Sequence, residues 1–182
     1  MPMDAAKRDA VWSAILDLKP VYGFALVPDE VILAQSALET GWWTSNLCVS
    51  ANNCFGMMHP TVRDTVSTGA YGTGRFATYP DIYASVQDYF MRQEYFAIPN
   101  TADPLEYMNA TKASGYATDP RYVEKWMAVY NQMTGTGTGL TPGTGTGNGN
   151  GKPTGGTDNG STNNMLVIGG LALLAFLLMR KK

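Results

Sequence analysis

Glu39 is the single carboxylate in the run Val31-Ile32-Leu33-Ala34-Gln35-Ser36-Ala37-Leu38-Glu39-Thr40-Gly41-Trp42-Trp43. Six apolar residues lie between Val31 and Leu38, interrupted by Gln35 and Ser36. A helix apolar over most of its surface belongs inside a core. Glu39 would then occupy its last turn. Burial disfavours the charged carboxylate, the negative end of the helix dipole acts the same way, and the two neighbouring indoles offer no solvation. A carboxylic acid kept protonated near neutral pH is the group that protonates a leaving oxygen in glycoside cleavage. The competing reading is an exposed Glu at a frayed helix end, the usual fate of this residue. The stretch alone fits both.

Other reactive side chains are sparse. Asp64 lies in a run rich in β-branched residues, Thr61 to Thr68, and reads either as a second acid or as a solvated strand residue. Cys48 and Cys54 are consistent with a short-loop disulfide in an oxidising compartment or with two buried thiols. With one His in the chain, these spacings make no zinc site, and no metal or cofactor is expected. His59, in a Met-Met-His-Pro turn, reads as a surface residue, and Asp88 as a structural one. Trp42, Trp43 and Tyr79 either stack on sugar rings or fill the core.

The elements that must position these residues follow from periodicity. Asp4 suits the cap of a first helix over Ala5–Leu18, with Val11, Trp12, Ile15 and Leu18 on one face. Pro28 and Asp29 suit the first turn of the central helix, and Gly41 its left-handed end. Trp43 to Asn53 reads as a short helical turn and loop. Thr61 to Thr68 reads as a strand, and Arg75 to Tyr79 as its partner across a glycine-punctuated turn. Asp81 caps a helix from Ile82 to about Phe96, Asp103-Pro104 opens one to about Ala113, and Asp119-Pro120 opens the last, with Asp119 as its N-cap. The pattern is α+β: helices with a small hairpin lobe inserted after the central helix.

Residues 1–133 have the composition of one globular domain, and the net charge of −2 with no basic block excludes a nucleic-acid footprint. The N-terminus lacks the apolar run of a signal peptide. Residues 134–164, almost entirely Gly, Thr, Asn and Pro, read as a flexible linker with a reach on the order of 30 Å. Met165 to Met179 is wholly apolar and runs into Arg180-Lys181-Lys182. At about 1.5 Å per residue it spans roughly 22 Å, short of a ~30 Å hydrocarbon core, and terminal basic side chains that snorkel supply part of the difference. Residues 165–182 are therefore expected to be a C-terminal membrane anchor, entering the lipid bilayer through residues 165–179. The basic end would be cytoplasmic and the domain on the other side.

Four blocks, in order, carry a family resemblance. Ile32 to Trp42 resembles the signature helix of glycoside hydrolase family 73, the glucosaminidases of autolysins, flagellar-rod hydrolases and phage lytic proteins. Asn52-Asn53-Cys54-Phe55-Gly56-Met57 resembles that family's Asn-Asn-x-Phe-Gly-Ile. Phe76 to Tyr79 with Ser85 to Tyr89 resembles its Phe-x-x-Tyr…Ser-Ile-x-Asp-Tyr block, and Tyr116 to Tyr122 its Tyr-Ala-Thr-Asp-Pro-x-Tyr ending. The resemblance implies a lysozyme-like domain that cleaves the glycan strands of peptidoglycan. It implies Glu39 as general acid, Tyr116 across the cleft from it, and Phe55-Gly56 closing the floor beneath the sugar. Trp42 and Tyr79 join them as expected sugar contacts, and Asp64, on the hairpin, is the candidate second carboxylate.

Two classes of function fit these residues: a membrane-tethered peptidoglycan hydrolase, and a non-catalytic wall-binding or virion module on the same fold. Among enzymes, an N-acetylglucosaminidase, a muramidase and a lytic transglycosylase differ in the bond cut and the end produced. A short chain with one hydrolase domain and a tail anchor fits a phage protein, with a bacterial surface enzyme as the alternative.

Overall fold

In the computed structural model, which describes residues 3–136, Asp4 accepts the Lys7 amide and caps α1, Ala5–Leu18. α2, Asp29–Thr40, follows with Pro28 at its cap and Asp29 and Glu30 in its first turn, as dipole and proline geometry dictate. Val31 to Ala37 are all buried, including Gln35 and Ser36, because α2 packs between α1 and α6. Each fully buried Val, Ile or Leu there stabilises the fold by about 1.5–3 kcal/mol.

α2 ends in an unusual way. Gly41 adopts φ 56° and ψ 53°, and Trp42 and Trp43 follow it into the left-handed region at φ 63° and 64°. Left-handed conformations cost non-glycine residues about 1–2 kcal/mol each. Packing and hydrogen bonds offset that cost: Trp43 is fully buried, its amide bonds Thr40 Oγ1 at 2.9 Å, and its indole N–H donates to Ser36 Oγ at 2.9 Å. The turn folds Trp43 back beneath the helix that carries Glu39.

α3, Asn46–Ala51, is capped by Ser45. Cys48 and Cys54 are buried free thiols with their sulfurs 3.0 Å apart. The loop after α3 is held by its own asparagines. Asn53 Nδ2 donates to the carbonyls of Met57 (2.8 Å) and Ala77 (2.9 Å), and its Oδ1 accepts the Met57 amide. Ser36 Oγ donates to the Cys54 carbonyl at 2.7 Å, fixing this loop to α2 one turn from Glu39.

The hairpin lobe is smaller than the sequence predicts. β1 is Gly69–Ala70 and β2 is Ala77–Thr78, antiparallel, with one further bridge between Met58 and Phe76. The strand expected over Thr61–Thr68 does not form. Its side chains bond locally instead: Thr65 Oγ1 accepts the Ser67 amide, and Ser67 Oγ bonds Gly69. Such local bonds compete with a ladder. Arg63 also turns inward, to Asp88.

α4, Ile82–Tyr95, α5, Pro104–Thr111, and α6, Tyr122–Thr134, complete the domain. Between α5 and α6 lies a π-helical turn, Lys112–Tyr116, closed by Gly115 at φ 82°. Asp119 is not the N-cap of α6. It sits before the turn, accepting the Arg121 amide and pairing with Lys125 at 2.5 Å, and Arg121 takes the cap position. The linker beyond Thr136 and the anchor expected over 165–182 lie outside the described residues.

Candidate active site

Glu39 projects from the last turn of α2 toward three segments. Tyr122, at the start of α6, donates its hydroxyl to Glu39 Oε1 at 2.5 Å. The backbone of Gly56 runs against Oε2, so close that a β-carbon there would lie 3.0 Å from that oxygen. Gly56 also has φ +60°, so both its conformation and its contact call for glycine. Tyr116 donates its hydroxyl to the Phe55 carbonyl, which ties the π-helical turn to the loop carrying Gly56.

Burial pushes the Glu39 carboxyl from its ordinary value of 4.5 up to about 7, and the Tyr122 hydrogen bond opposes that rise. The residue as a whole keeps partial solvent exposure while its carboxyl is desolvated. Tyr116 and Tyr122 lie with ring centroids 6.0 Å apart, and burial first, then the Glu39 charge, raises both phenols well above their ordinary value. Both therefore act as neutral hydrogen-bond donors.

Tyr116 is clamped from behind. The Arg92 guanidinium lies 4.7 Å from its ring centroid and 4.6 Å from that of Phe96, a pair of cation–π contacts. Arg92 also bonds Ser114 Oγ at 2.8 Å, holding the π-helical turn. The sequence reading missed Arg92, Tyr122 and Gln35. Tyr122 lies in the same Tyr116–Tyr122 block, and that proximity was the available signal.

The remaining predicted residues make other contacts. Phe55 is fully buried, its ring stacked on Tyr89 at 4.2 Å, so it reaches the site through its backbone. Tyr79 is buried and donates to Asp88 Oδ2 at 2.7 Å. Asp88 in turn receives both Arg63 amino groups at 2.7 and 2.9 Å, a buried fork that anchors the lobe to α4. Asp64 is exposed, and its carboxyl has no hydrogen-bond partner among the described residues. Trp42 lines a groove with Trp12, Leu33 and Met133 that does not include Glu39. His59 bonds Ser67 Oγ through Nδ1 at 3.0 Å.

A mostly helical α+β domain with a small two-stranded sheet and one desolvated carboxyl matches the lysozyme-like class. Residues 22–135 match the family model Glucosaminidase, described as mannosyl-glycoprotein endo-beta-N-acetylglucosaminidase, and the chain belongs to that family of glycosidases. It is 32% identical over 117 residues to the exo-glucosaminidase LytG of Bacillus subtilis, covering 54% of this chain and 42% of LytG. It is 30% identical over 122 residues to the peptidoglycan hydrolase FlgJ of Pseudomonas aeruginosa, covering 56% of this chain and 30% of FlgJ. The chain thus spans less than half the length of these two relatives. The crystal structure of a peptidoglycan hydrolase from Sphingomonas sp. A1 superposes with a TM-score of 0.58 at 25% identity, covering 75% of this chain and 97% of that one.

Proposed function

We propose that the protein is a peptidoglycan hydrolase of the N-acetylglucosaminidase type, with Glu39 as general acid. The observation that carries this reading is the Glu39 carboxyl, pushed up to about 7 by burial in a chain of the glucosaminidase family. At neutral pH and below it holds the proton that a departing sugar oxygen needs. The Gly56 backbone lies against the carboxyl, Tyr116 ties down the loop that carries Gly56, and Tyr122 orients the acid.

Asp88 is consumed by Arg63 and Tyr79, and Asp64 is exposed with no hydrogen bond to Glu39 among the described residues. That favours a mechanism in which the substrate's own acetamido group, rather than a second carboxylate, stabilises the developing cation. The same observation supports a second reading, in which Glu39 serves as both acid and base and yields a 1,6-anhydro end.

Digestion of purified peptidoglycan with the full chain, followed by mass spectrometry of the released fragments, separates these cases. A reducing N-acetylglucosamine end supports the first reading and an anhydro end the second. Glu39→Gln is expected to lower release by about 100- to 10,000-fold with the fold intact. Undiminished release by that variant, or wall binding without release by the unmutated protein, would overturn the enzymatic reading.

The setting we propose is a membrane-tethered one. Residues 165–179 and the basic end after them supply an anchor, and residues 134–164 give the domain its reach to the wall from the non-cytoplasmic side. A phage protein that opens the wall locally fits this arrangement. Flotation of the full chain with liposomes, lost on deleting residues 165–182, tests the anchor.

A further inference from the structure

Behind Glu39 runs a buried hydrogen-bond chain that extends through α2, α4 and α5. Arg92 Nη1 donates to Gln93 Oε1 at 2.9 Å. A guanidinium has donors only, so this contact fixes the Gln93 amide with Nε2 pointing the other way. Nε2 lies 2.8 Å from Tyr107 Oη, 2.9 Å from Thr111 Oγ1 and 3.1 Å from Tyr89 Oη. The two phenol oxygens are 2.9 Å apart. Tyr89 donates to Gln35 Oε1 at 2.6 Å, Gln35 Nε2 to Tyr122 Oη at 3.0 Å, and Tyr122 to Glu39 Oε1.

We propose that Gln35 and Gln93 are positioning residues that make this chain one-way and so confine the transferable proton of Glu39 to Oε2. The proposal rests on Glu39 being the general acid. Its logic is a count of donors. In the forward direction every link from Tyr107 to Glu39 has one donor and one acceptor, while Gln93 Nε2 shares its two hydrogens among three oxygens. A proton on Oε1 aimed away from Tyr122 would leave Tyr122 donating to a hydroxyl oxygen, a poorer acceptor than the carbonyl oxygen of the carboxyl. If Glu39 carried its proton on Oε1 and aimed it at Tyr122, Tyr122 would have to pass its own proton to Gln35, whose amide would flip. Tyr89 would then donate to Tyr107. Tyr107 would face only Tyr89 and Gln93 Nε2, both donors, with no described acceptor left for its proton. The alternative, Tyr122 accepting from both sides, leaves a buried hydroxyl proton unpaired. Arg92 at the far end thus forbids the reversal.

Oε2, the oxygen left to hold the proton, is the one against Gly56. The chain needs neutral phenols, and burial provides them: Tyr107 is pushed up to about 12, and Tyr89 and Tyr122 rise well above their ordinary value. Among the described residues, Tyr122 from α6 bonds the Glu39 carboxyl, the Gly56 backbone lies against Oε2, and Tyr116 from the turn before α6 is near enough for the Glu39 charge to raise its phenol. No charged side chain bonds the carboxyl among the described residues.

Two substitutions at a residue that does not touch Glu39 test this in the full chain, by following the Glu39 carboxyl carbon through a pH titration by NMR. Gln93→Glu, ion-paired to Arg92, supplies the missing acceptor and frees the chain to reverse. Glu39 then loses the Tyr122 donor, and its midpoint is expected to rise by about one pH unit, with a several-fold loss in kcat at unchanged KM. Gln93→Met adds no acceptor, so the midpoint is expected to stay within about a third of a unit of the unmutated protein. Equal shifts in both variants, or none in Gln93→Glu, would overturn the proposal. In the unmutated protein the Tyr122 hydroxyl proton should remain bonded to Glu39 on both sides of the midpoint, and its transfer to Gln35 at low pH would also overturn it. If the unmutated protein releases no muropeptides, the glycosidase reading fails, while the titration still decides where the proton sits.

Discussion

The Gly56 backbone lies against the Glu39 carboxyl, so close that a β-carbon there would approach Oε2 to 3.0 Å and force the carboxyl to shift. Gly56→Ala therefore meets two penalties, the contact and a φ of +60° that L side chains rarely adopt. The expected outcome is a loss of about 1–3 kcal/mol in denaturant unfolding, together with a fall in muropeptide release larger than the stability loss explains. Wild-type release by the alanine variant would show that this loop does not shape the site.

Glu39 also predicts how stability depends on pH. Its carboxyl is raised from 4.5 to about 7 in the folded state. Between those values the folded protein binds more protons than the unfolded chain, so stability falls as pH rises through that window. The full effect is about 3 kcal/mol, present below pH 4.5 and lost above 7. Glu39→Gln removes it. The glutamine variant should match the unmutated protein near pH 4 and exceed it in midpoint denaturant concentration at pH 8.

In activity, the same group sets an alkaline limb near pH 7, where the acid form disappears. Tyr122→Phe removes the hydrogen bond that favours the carboxylate, so the limb should move to higher pH. A limb that stays in place in this variant would mean that another group titrates.

Tyr116 acts through Phe55. Tyr116→Phe leaves the Phe55 carbonyl without its donor and loosens the loop that carries Gly56. A lost hydrogen bond of about 1–2 kcal/mol corresponds to a roughly tenfold fall in release. Hydrogen exchange at Gly56 should rise in parallel.

The lobe separates its two aspartates. Asp64→Asn is expected to keep release within about twofold, since its carboxyl is exposed and unpaired among the described residues. Asp88→Asn breaks a buried fork with Arg63 and should cost about 3–5 kcal/mol in thermal or denaturant unfolding. A loss of activity in Asp64→Asn comparable to that of Glu39→Gln would make Asp64 the second carboxylate after all.

Local signals in the chain were enough to define α1, α2 and the place of Glu39. Asp4, Pro28 and Gly41 mark helix ends by backbone chemistry that acts within one turn, and the apolar run puts Glu39 in the last turn of a buried helix. The strand expected over 61–68 failed because Arg63 found Asp88, a partner 25 residues away that no alternation pattern reveals. The proton-holding environment of Glu39 was likewise decided by distant residues. Tyr122 lies 83 residues along the chain, and Gln35 joins it only because α6 packs on α2. Hydrogen-bond direction depends on which donors and acceptors meet, and the chain from Arg92 to Glu39 is assembled from α4, α5, α2 and α6. Sequence alone singled out Glu39 as the candidate acid; the packing of helices decided which of its two oxygens faces which neighbour.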